Sequence, residues 1–460
     1  MATFIKPRVP RGMRDILPEQ MIRRQYVIDV IRDVFEEFGF EPLQTPAMEL
    51  SEVLTGKYGP DAEKLIYQAG HTGGKEDISL RYDLSVPLCR VVAMYPQLPK
   101  PFKRYQIDPV WRAERPQKGR YRQFFQCDAD TVGSDSMLAD AENVNLIYQV
   151  LSRLGFKQFE IKINDRKLIT GIGQFSGVPT AQLGGLYRSI DKLDKIGLDG
   201  VTAELRENEI PEDVIKKLLT LLQIEGDSTT VLNEMQEQLG DLEIAREGTA
   251  ELKELIGYLT TLGVPEECYK VNVAMVRGLE YYTGPIYETV IEEPKIGSIT
   301  GGGRYDELIG SFSKQSFPAT GTSFGIERII DVMEEFDMFP STVGKTVTQV
   351  LMTFFDDELM KESLKLATQL RQGGIRTEVY FRPTKLSTQM KYADTKGIPY
   401  AVILGSDELA AGNAAVRDLA SREQENVPLD KVVERIKQLI KTSEGRQHSK
   451  QMKVVLVSQE

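Results

Sequence analysis

Residues 102–132 read FKRYQIDPVWRAERPQKGRYRQFFQCDADTV. Two runs of strand-like composition, FKRYQIDPVWRAE and RYRQFFQCDADTV, flank the turn-forming RPQKG, and this pattern predicts a β-hairpin. Side chains of a strand alternate between its two faces, so parity sorts the residues. On the return run Arg120, Arg122, Phe124, Gln126, Asp128 and Asp130 alternate with Tyr121, Gln123, Phe125, Cys127 and Ala129; on the outgoing run Arg112 and Glu114 share a face. A surface built from Arg112, Glu114, Arg120, Phe124, Gln126 and Asp130 offers cations for phosphate, a ring for stacking and carboxylates for an amine. The plainer alternative is a solvated sheet face. Unlike charges beside an aromatic ring on both strands favour a site.

The surrounding chain narrows the chemistry. At 460 residues it is long enough for two or three domains of roughly 150 residues each. Its 41 % apolar and 27 % charged residues contain no run near the ~18 apolar residues of a membrane helix. The start, MATFIKPRVPRGMRD, has no apolar signal region, and Cys89, Cys127 and Cys268 are odd in number and far apart, so a reducing cytoplasm is expected. His71 lies in a Gly-rich turn and His448 in a polar stretch, which argues against Ser–His hydrolysis, histidine-ligated zinc and a histidine general base. No CxxC pair occurs either. The net charge of −11 argues against nucleic acid in general, yet Pro99–Gln123 carries eight basic residues against two acidic, with four aromatics interleaved. Such a stretch favours a nucleotide or polyphosphate partner over a simple basic face.

Outside the hairpin, EQMIRRQYVIDVIRDVFEEFGF places Val27, Ile31, Val34, Phe35 and Phe38 at helical spacing, with Gly39 as a C-terminal stop. In EPLQTPAMEL, Pro42 and Pro46 confine any strand to an edge or an interface. KLIYQAG and DISLRYDLSVP read as paired strands with a helix from Pro87, and parity puts Arg81, Asp83 and Ser85 on one strand face. Residues 159–269 read as a mostly helical insertion. Strand character returns at YKVNVAMVRGLEYYTGPIYETVI, and ATGTSFG leads into IERIIDVMEEF, whose stripe is Ile326, Ile329, Ile330 and Met333. Arg328 falls in that helix's first turn, the unfavourable end for a cation. Beyond Val343 a β-α-β-α-β alternation predicts a small parallel or mixed sheet covered by helices, followed by a polar tail.

A site with several arginines and neither histidine nor cysteine suits phosphoryl or nucleotidyl transfer, in which positioning and electrostatics carry the reaction. GxxxxGK[ST] is absent, and GGGR at 301–304 follows a hairpin instead of opening a helix, so it reads as a tight turn or a close backbone approach.

These residues resemble the class II aminoacyl-tRNA synthetases, and within them the histidyl-tRNA synthetase family. WRAE, RPQKG and RYRQF match the class motif Arg-x-Glu, loop, Arg-x-x-x-Phe; GTSFGIER matches the third class motif, and the helix ending in FEPLQTPAMEL the first. RGLEYYTG and GGGRYDEL match the histidine-specific signatures. The resemblance implies an α+β catalytic domain with an antiparallel sheet over residues 1–158 and 270–338, interrupted by the helical insertion 159–269. It further implies an α/β anticodon-binding domain over 345–441 and a polar tail at 442–460. By the same resemblance Arg112, Glu114, Arg120, Phe124 and Arg328 bind ATP. Asp83, Ser85 and Gln126 hold the amino group of histidine, Asp130 and Tyr282 read the imidazole, Tyr281, Arg112 and Arg277 also bind histidine, and Arg277 and Arg112 are the catalytic arginines at the α-phosphate. A carboxylate and a phenol at opposite ends of an imidazole can select it over an apolar isostere. Arg115 and Gln117 meet the tRNA acceptor end. ATP enters with Mg2+, no metal is assigned to protein side chains, and the partners are tRNA(His), L-histidine and a second copy in a homodimer.

Asp83, Ser85 and Asp130 stand where many bacterial members carry Glu, Thr and Glu. Two other readings of the fold remain: a histidine-binding regulatory subunit of histidine biosynthesis that does not charge tRNA, and a sensor of uncharged tRNA. The intact arginines and the C-terminal domain favour the ligase over the first, and the lack of a kinase motif favours it over the second.

Overall fold

The computed structural model describes residues 5–71, 73–117, 119–276 and 281–442. The chain divides into two units, one holding Val27–Met338 and the other Phe339 onward together with Ile16–Tyr26.

The strands of the first unit are β1 (Glu41–Pro42), β2 (Met48–Leu50), β3 (Gln68–Ala69), β4 (Ile78–Leu80), β5 (Phe102–Trp111), β6 (Gln123–Val132), β7 (Glu160–Asp165), β8 (Tyr269–Val271), β9 (Pro285–Val290), β10 (Thr300–Arg304) and β11 (Ala319–Gly325). Eight of them form one sheet in the order β1-β5-β6-β11-β10-β9-β7-β8, and β2-β4-β3 form a small second sheet. The pairs from β5 through to β7 are antiparallel, with parallel partners only at the two ends. The predicted hairpin is β5–β6, in register from Phe102 opposite Val132 to Trp111 opposite Gln123. Pro42 lies in edge strand β1, where its missing N–H costs no ladder bond.

One face of the sheet is closed by helices. Val27, Ile31, Val34 and Phe35 of the helix Pro18–Glu37 are fully buried, and the Phe35 ring lies 5.7 Å from both Tyr105 of β5 and Phe324 of β11. That helix ends where expected. Gly39 takes φ +76°, and the Gly39 and Phe40 N–H groups return to the Glu36 and Phe35 carbonyls. The helix Met137–Arg153 is capped by Ser136 and docks through Asn143, whose amide donates to Tyr287 Oη (2.9 Å) and Thr320 Oγ1 (3.3 Å). With hydrophobic and polar contacts sealing this face, the opposite one is left for a ligand.

Two expectations need correcting. Residues 159–269 are not helical from the start: β7 and β8 at their ends belong to the large sheet, and the helices run between them from Arg166 to Thr261. Glu160, Ile161, Lys162 and Ile163 do alternate with the strand period, but the long helical block that follows dominates the composition of the segment. Arg81, Asp83 and Ser85 do not share a strand face, because β4 ends at Leu80 and a helix spans Ser85–Met94. Arg81 turns away to the Pro109 and Thr45 carbonyls (2.9 and 2.8 Å) and to Asp108. Asp83 instead accepts from the Val86 N–H at 3.2 Å, close to the helix start.

In the second unit β12 (Val350–Met352), β13 (Thr377–Val379), β14 (Tyr400–Ile403), β15 (Asn413–Asp418) and β16 (Gln424–Pro428) order as β13-β12-β14-β15-β16. The first three are parallel and the last two antiparallel, which is the mixed sheet expected. The helix Asp357–Gln372 and helical residues 432–442 bury Leu366, Leu370 and Ile436 against Val350, Met352 and Val402. Nearly all of the expected 442–460 tail lies outside the described residues. No described helix is long and apolar enough to cross a membrane.

Candidate active site

The open face of the large sheet forms the floor of a cleft of about 980 Å³. Its register sets one continuous row of side chains: Gln106, Asp128, Ser323, Gly301, Glu288, Lys162 and Lys270, one each from β5, β6, β11, β10, β9, β7 and β8. A second row runs Arg104, Asp130, Gly321, Gly303. The two glycines make room beside Asp130. A Cβ on Gly321 would lie 2.0 Å from Asp130 Oδ1, and one on Gly303 would lie 2.9 Å from Tyr282 Cδ1. The GGGR segment is therefore strand β10, whose missing side chains shape a pocket wall.

At the pocket end the carboxylates are buried and held. Asp130 is bound by Arg104 Nη2 (2.8 Å) and accepts from Tyr305 Oη (2.5 Å). Asp83 accepts from Tyr58 Oη (2.9 Å), and its Oδ2 has no partner among the described residues. Gln126 donates to Ser323 Oγ (3.0 Å) and to Asp128 Oδ1 (3.4 Å), leaving its Oε1 unbonded. Burial pushes the Asp83 carboxyl up to about 6 against the lowering effect of Tyr58. Burial and the neighbouring Asp130 push Asp128 up to about 7. Burial also raises Asp130, although Arg104 and Tyr305 pull the other way. Tyr281 bonds Ser85, and its ring lies 5.0 Å from Tyr282 and 5.8 Å from Tyr305.

The other flank is cationic and aromatic. The Arg112 guanidinium sits 4.4 Å from the Tyr82 ring and 5.1 Å from the Phe124 ring, and its Nε donates to the Tyr82 carbonyl (3.1 Å). Glu114 and Arg120 pair at 3.0 Å. Arg328 reaches out of its helix to the Ser298 carbonyl (2.6 Å) and the Gly119 carbonyl (3.3 Å), joining the hairpin loop to the start of β10. Its place near a helix N-terminus is thus offset by carbonyl partners.

Asp83, Ser85, Arg112, Glu114, Arg120, Phe124, Gln126, Asp130, Tyr281, Tyr282 and Arg328 all line this one cleft. Arg115 and Gln117 are exposed in the hairpin loop and do not line it, while Gln117 and Arg120 close the loop by mutual backbone bonds of 3.1 and 2.9 Å. Arg277 lies outside the described residues. Sequence reasoning missed Tyr58, Arg104, Tyr305 and Glu327, the last accepting from the Phe125 N–H at 3.3 Å. Arg104 carried a usable signal, being opposite Asp130 in the hairpin; Tyr58 and Tyr305 arrive from distant segments and carried none.

Residues 12–329 match the family described as histidyl-tRNA synthetase, and residues 343–439 match the anticodon binding domain family. A histidine--tRNA ligase of Gloeobacter violaceus is 43 % identical over 449 residues, covering 91 % of this chain and 96 % of the relative. One from Aeropyrum pernix is 41 % identical over 441 residues, covering 95 % and 99 %. The crystal structure of histidyl-tRNA synthetase from Nostoc sp. PCC 7120 superposes with a TM-score of 0.84 at 35 % identity, covering 95 % of this chain and all of that one. With a single cleft that joins an arginine-and-aromatic flank to a buried carboxylate pocket, and with these relatives spanning nearly its whole length, the chain belongs to the histidyl-tRNA synthetase family.

Proposed function

We propose that this chain activates L-histidine with ATP and transfers the histidyl group to the 3′ end of tRNA(His). The observation that carries this reading is the continuity of the cleft: a place for a triphosphate and a base opens directly onto a pocket whose buried acceptors suit an amino acid. The adenine would lie on Phe124, with Glu114 accepting from its exocyclic amine, while Arg120 and Arg328 hold the outer phosphates. Arg112, fixed between two rings, would sit at the α-phosphate, where its permanent charge and planar donor set suit a developing oxyanion. Arg277 is assigned the same task from the other side.

In the first step a histidine carboxylate oxygen bonds to the α-phosphorus as the bond to the pyrophosphate oxygen breaks. In the second, a ribose hydroxyl at the tRNA end attacks the acyl carbon, its proton passing to a phosphate oxygen, and AMP departs with the bonding pair. Asp83, Ser85 and Gln126 would hold the substrate ammonium. Asp130, Tyr281 and Tyr282 would enclose the ring, Asp130 accepting from one ring N–H while leaving a second position for a phenol. A substrate without ring donors would strand these buried groups, the costlier kind of mismatch.

ATP would enter as its magnesium complex, the ion screening the triphosphate charge. Glu114 and Glu327 are the oxygen donors on that flank whose chemistry suits a hard cation. Arg115 and Gln117, exposed on the hairpin loop, would meet the acceptor end, and the second unit the anticodon. Exposed Met48, Leu50, Met94 and Tyr95, with a groove lined by Leu43, Pro46, Val91 and Phe102, support an interface with a second copy. The free cysteines among the described residues fit a reducing cytoplasm. The decisive experiment is charging of tRNA(His) with labelled histidine. Stable histidyl-tRNA is expected, whereas histidine binding without charging would reassign the chain to a regulatory role.

A further inference from the structure

We propose that Asp128 is a further acceptor for the α-ammonium group of the amino acid, joining Asp83, Ser85 and Gln126, and that the incoming ammonium displaces a proton from it. This rests on the histidine-activating reading and deepens it, since the roles above leave Asp128 without a task.

The geometry begins with β6. Gln126, Asp128 and Asp130 occupy alternate positions of one strand and therefore project together into the cleft. Asp128 stands between the residue assigned to the ammonium and the residue assigned to the ring. It is only 2 % exposed. Its known contacts hold it without neutralising it: the Gln126 amide at 3.4 Å and the Ser323 hydroxyl from β11. Among the described residues the charged groups around it are Asp130 on its own strand, Asp83 from the segment before the helix Ser85–Met94, Arg104 of β5, and Arg81, which is already paired with Asp108; the Tyr281 phenol also lies within electrostatic reach.

The charges explain why an acid here needs a cation. Arg104 is bonded to Asp130 and to the Leu84 carbonyl (3.1 Å), and Arg112 is committed to the nucleotide flank. Asp83 and Asp128 are then two buried carboxyls with no dedicated counter-ion, a situation in which a group keeps its proton or waits for a positive ligand. An ammonium has three N–H donors. Asp83 Oδ2 and Gln126 Oε1 are two buried acceptors on the cleft wall without partners among the described residues. A carboxylate oxygen of Asp128, beside the Gln126 amide, takes the third N–H, shared with the Ser85 hydroxyl, which Tyr281 also engages. Without a cation beside it, Asp128 is partly protonated near neutral pH. Binding exchanges that proton, released to solvent, for the charge of the ammonium, which offsets the repulsion that ionised Asp128 would otherwise feel from Asp130.

The test compares the full-length protein with Asp128→Asn, which keeps the shape and removes the charge. Histidine binding is measured by calorimetry at pH 6.5 in buffers of different ionisation enthalpy, and the Michaelis constants in ATP–pyrophosphate exchange. The Asn variant is expected to weaken histidine binding roughly 10- to 100-fold, the loss of one charge-assisted hydrogen bond. It should also release fewer protons than the wild type on binding, keep its KM for ATP within about threefold, and unfold no lower than the wild type, since a buried acid whose ionisation is disfavoured has gone. Unchanged histidine affinity, unchanged proton release, or equal losses toward histidine and ATP would each overturn the assignment. If the wild type binds no histidine, the functional reading falls first and takes this one with it; if it binds and the variant binds as well, only this one falls.

Discussion

Gly321→Ala is the sharpest small change the pocket offers. Gly321 lies in β11 directly opposite Asp130, in regular strand structure, so alanine is excluded only for want of space. Its Cβ would meet Asp130 Oδ1 at 2.0 Å and Cγ at 2.5 Å. An ordinary C···O contact is near 3.3 Å, so the carboxylate must retreat by ~1.3 Å. It is not free to do so: Arg104 holds it at 2.8 Å and Tyr305 at 2.5 Å, both buried. Parting a buried ion pair costs about 3–5 kcal/mol when the charge is left alone, and partial displacement costs a share of that. Displacement of a substrate-positioning group by about 1 Å is worth roughly 100-fold in rate. We therefore expect kcat/KM for histidine in ATP–pyrophosphate exchange to fall ~100-fold, with KM for ATP nearly unchanged because the nucleotide flank is built from other residues. A Gly321→Ala enzyme within about threefold of wild type for histidine would refute this account of the glycine wall.

Other expectations follow from the same structure. Arg304→Ala strands Asp140, which it binds through Nε at 3.1 Å and through Nη2, and releases the Ser134 and Ser136 carbonyls; a loss of about 3–5 kcal/mol should appear in denaturant unfolding of the first unit. Asp165 caps the helix Arg166–Ser176 through the Lys167 N–H (2.7 Å), and burial with Glu251 alongside pushes its carboxyl well above the ordinary range. A raised acid destabilises the fold once ionised, so stability is lost as pH climbs from about 4 through the raised value. Asp165→Asn keeps the cap, and its melting temperature should exceed wild type at pH 8 with the gap closing toward pH 5; a variant less stable at both pH values would contradict this. Arg328→Ala, which frees the Ser298 and Gly119 carbonyls, should raise KM for ATP roughly tenfold while KM for histidine changes little, read by exchange with each substrate varied in turn.

How much of this was legible in the sequence depends on the range of the interactions. The β5–β6 hairpin is local, and the parity of Phe124, Gln126 and Asp130 placed them correctly on one face, as the 3.6 periodicity did for Val27, Ile31, Val34 and Phe35. The floor of the cleft is not local. It needs β11 to pair with β6 and β7 with β9 across more than a hundred residues, and no short window carries that register. Tyr305 reaches Asp130 from 175 positions away for this reason. The Asp83 segment misled for a different one: LRYDLS has strand composition, but a helix starts at Ser85, so a loop delivers Asp83 where a strand face seemed to. Arg304 in GGGRYDE read as part of a turn and is in fact a buried anchor for Asp140.

The central claim is that the cleft activates histidine and no other amino acid. ATP–pyrophosphate exchange measured against each of the twenty amino acids tests it most directly. Rapid exchange with histidine alone is the predicted result, abolished in Arg277→Ala with ATP binding largely retained; exchange with none of them, or equally with several, would contradict it.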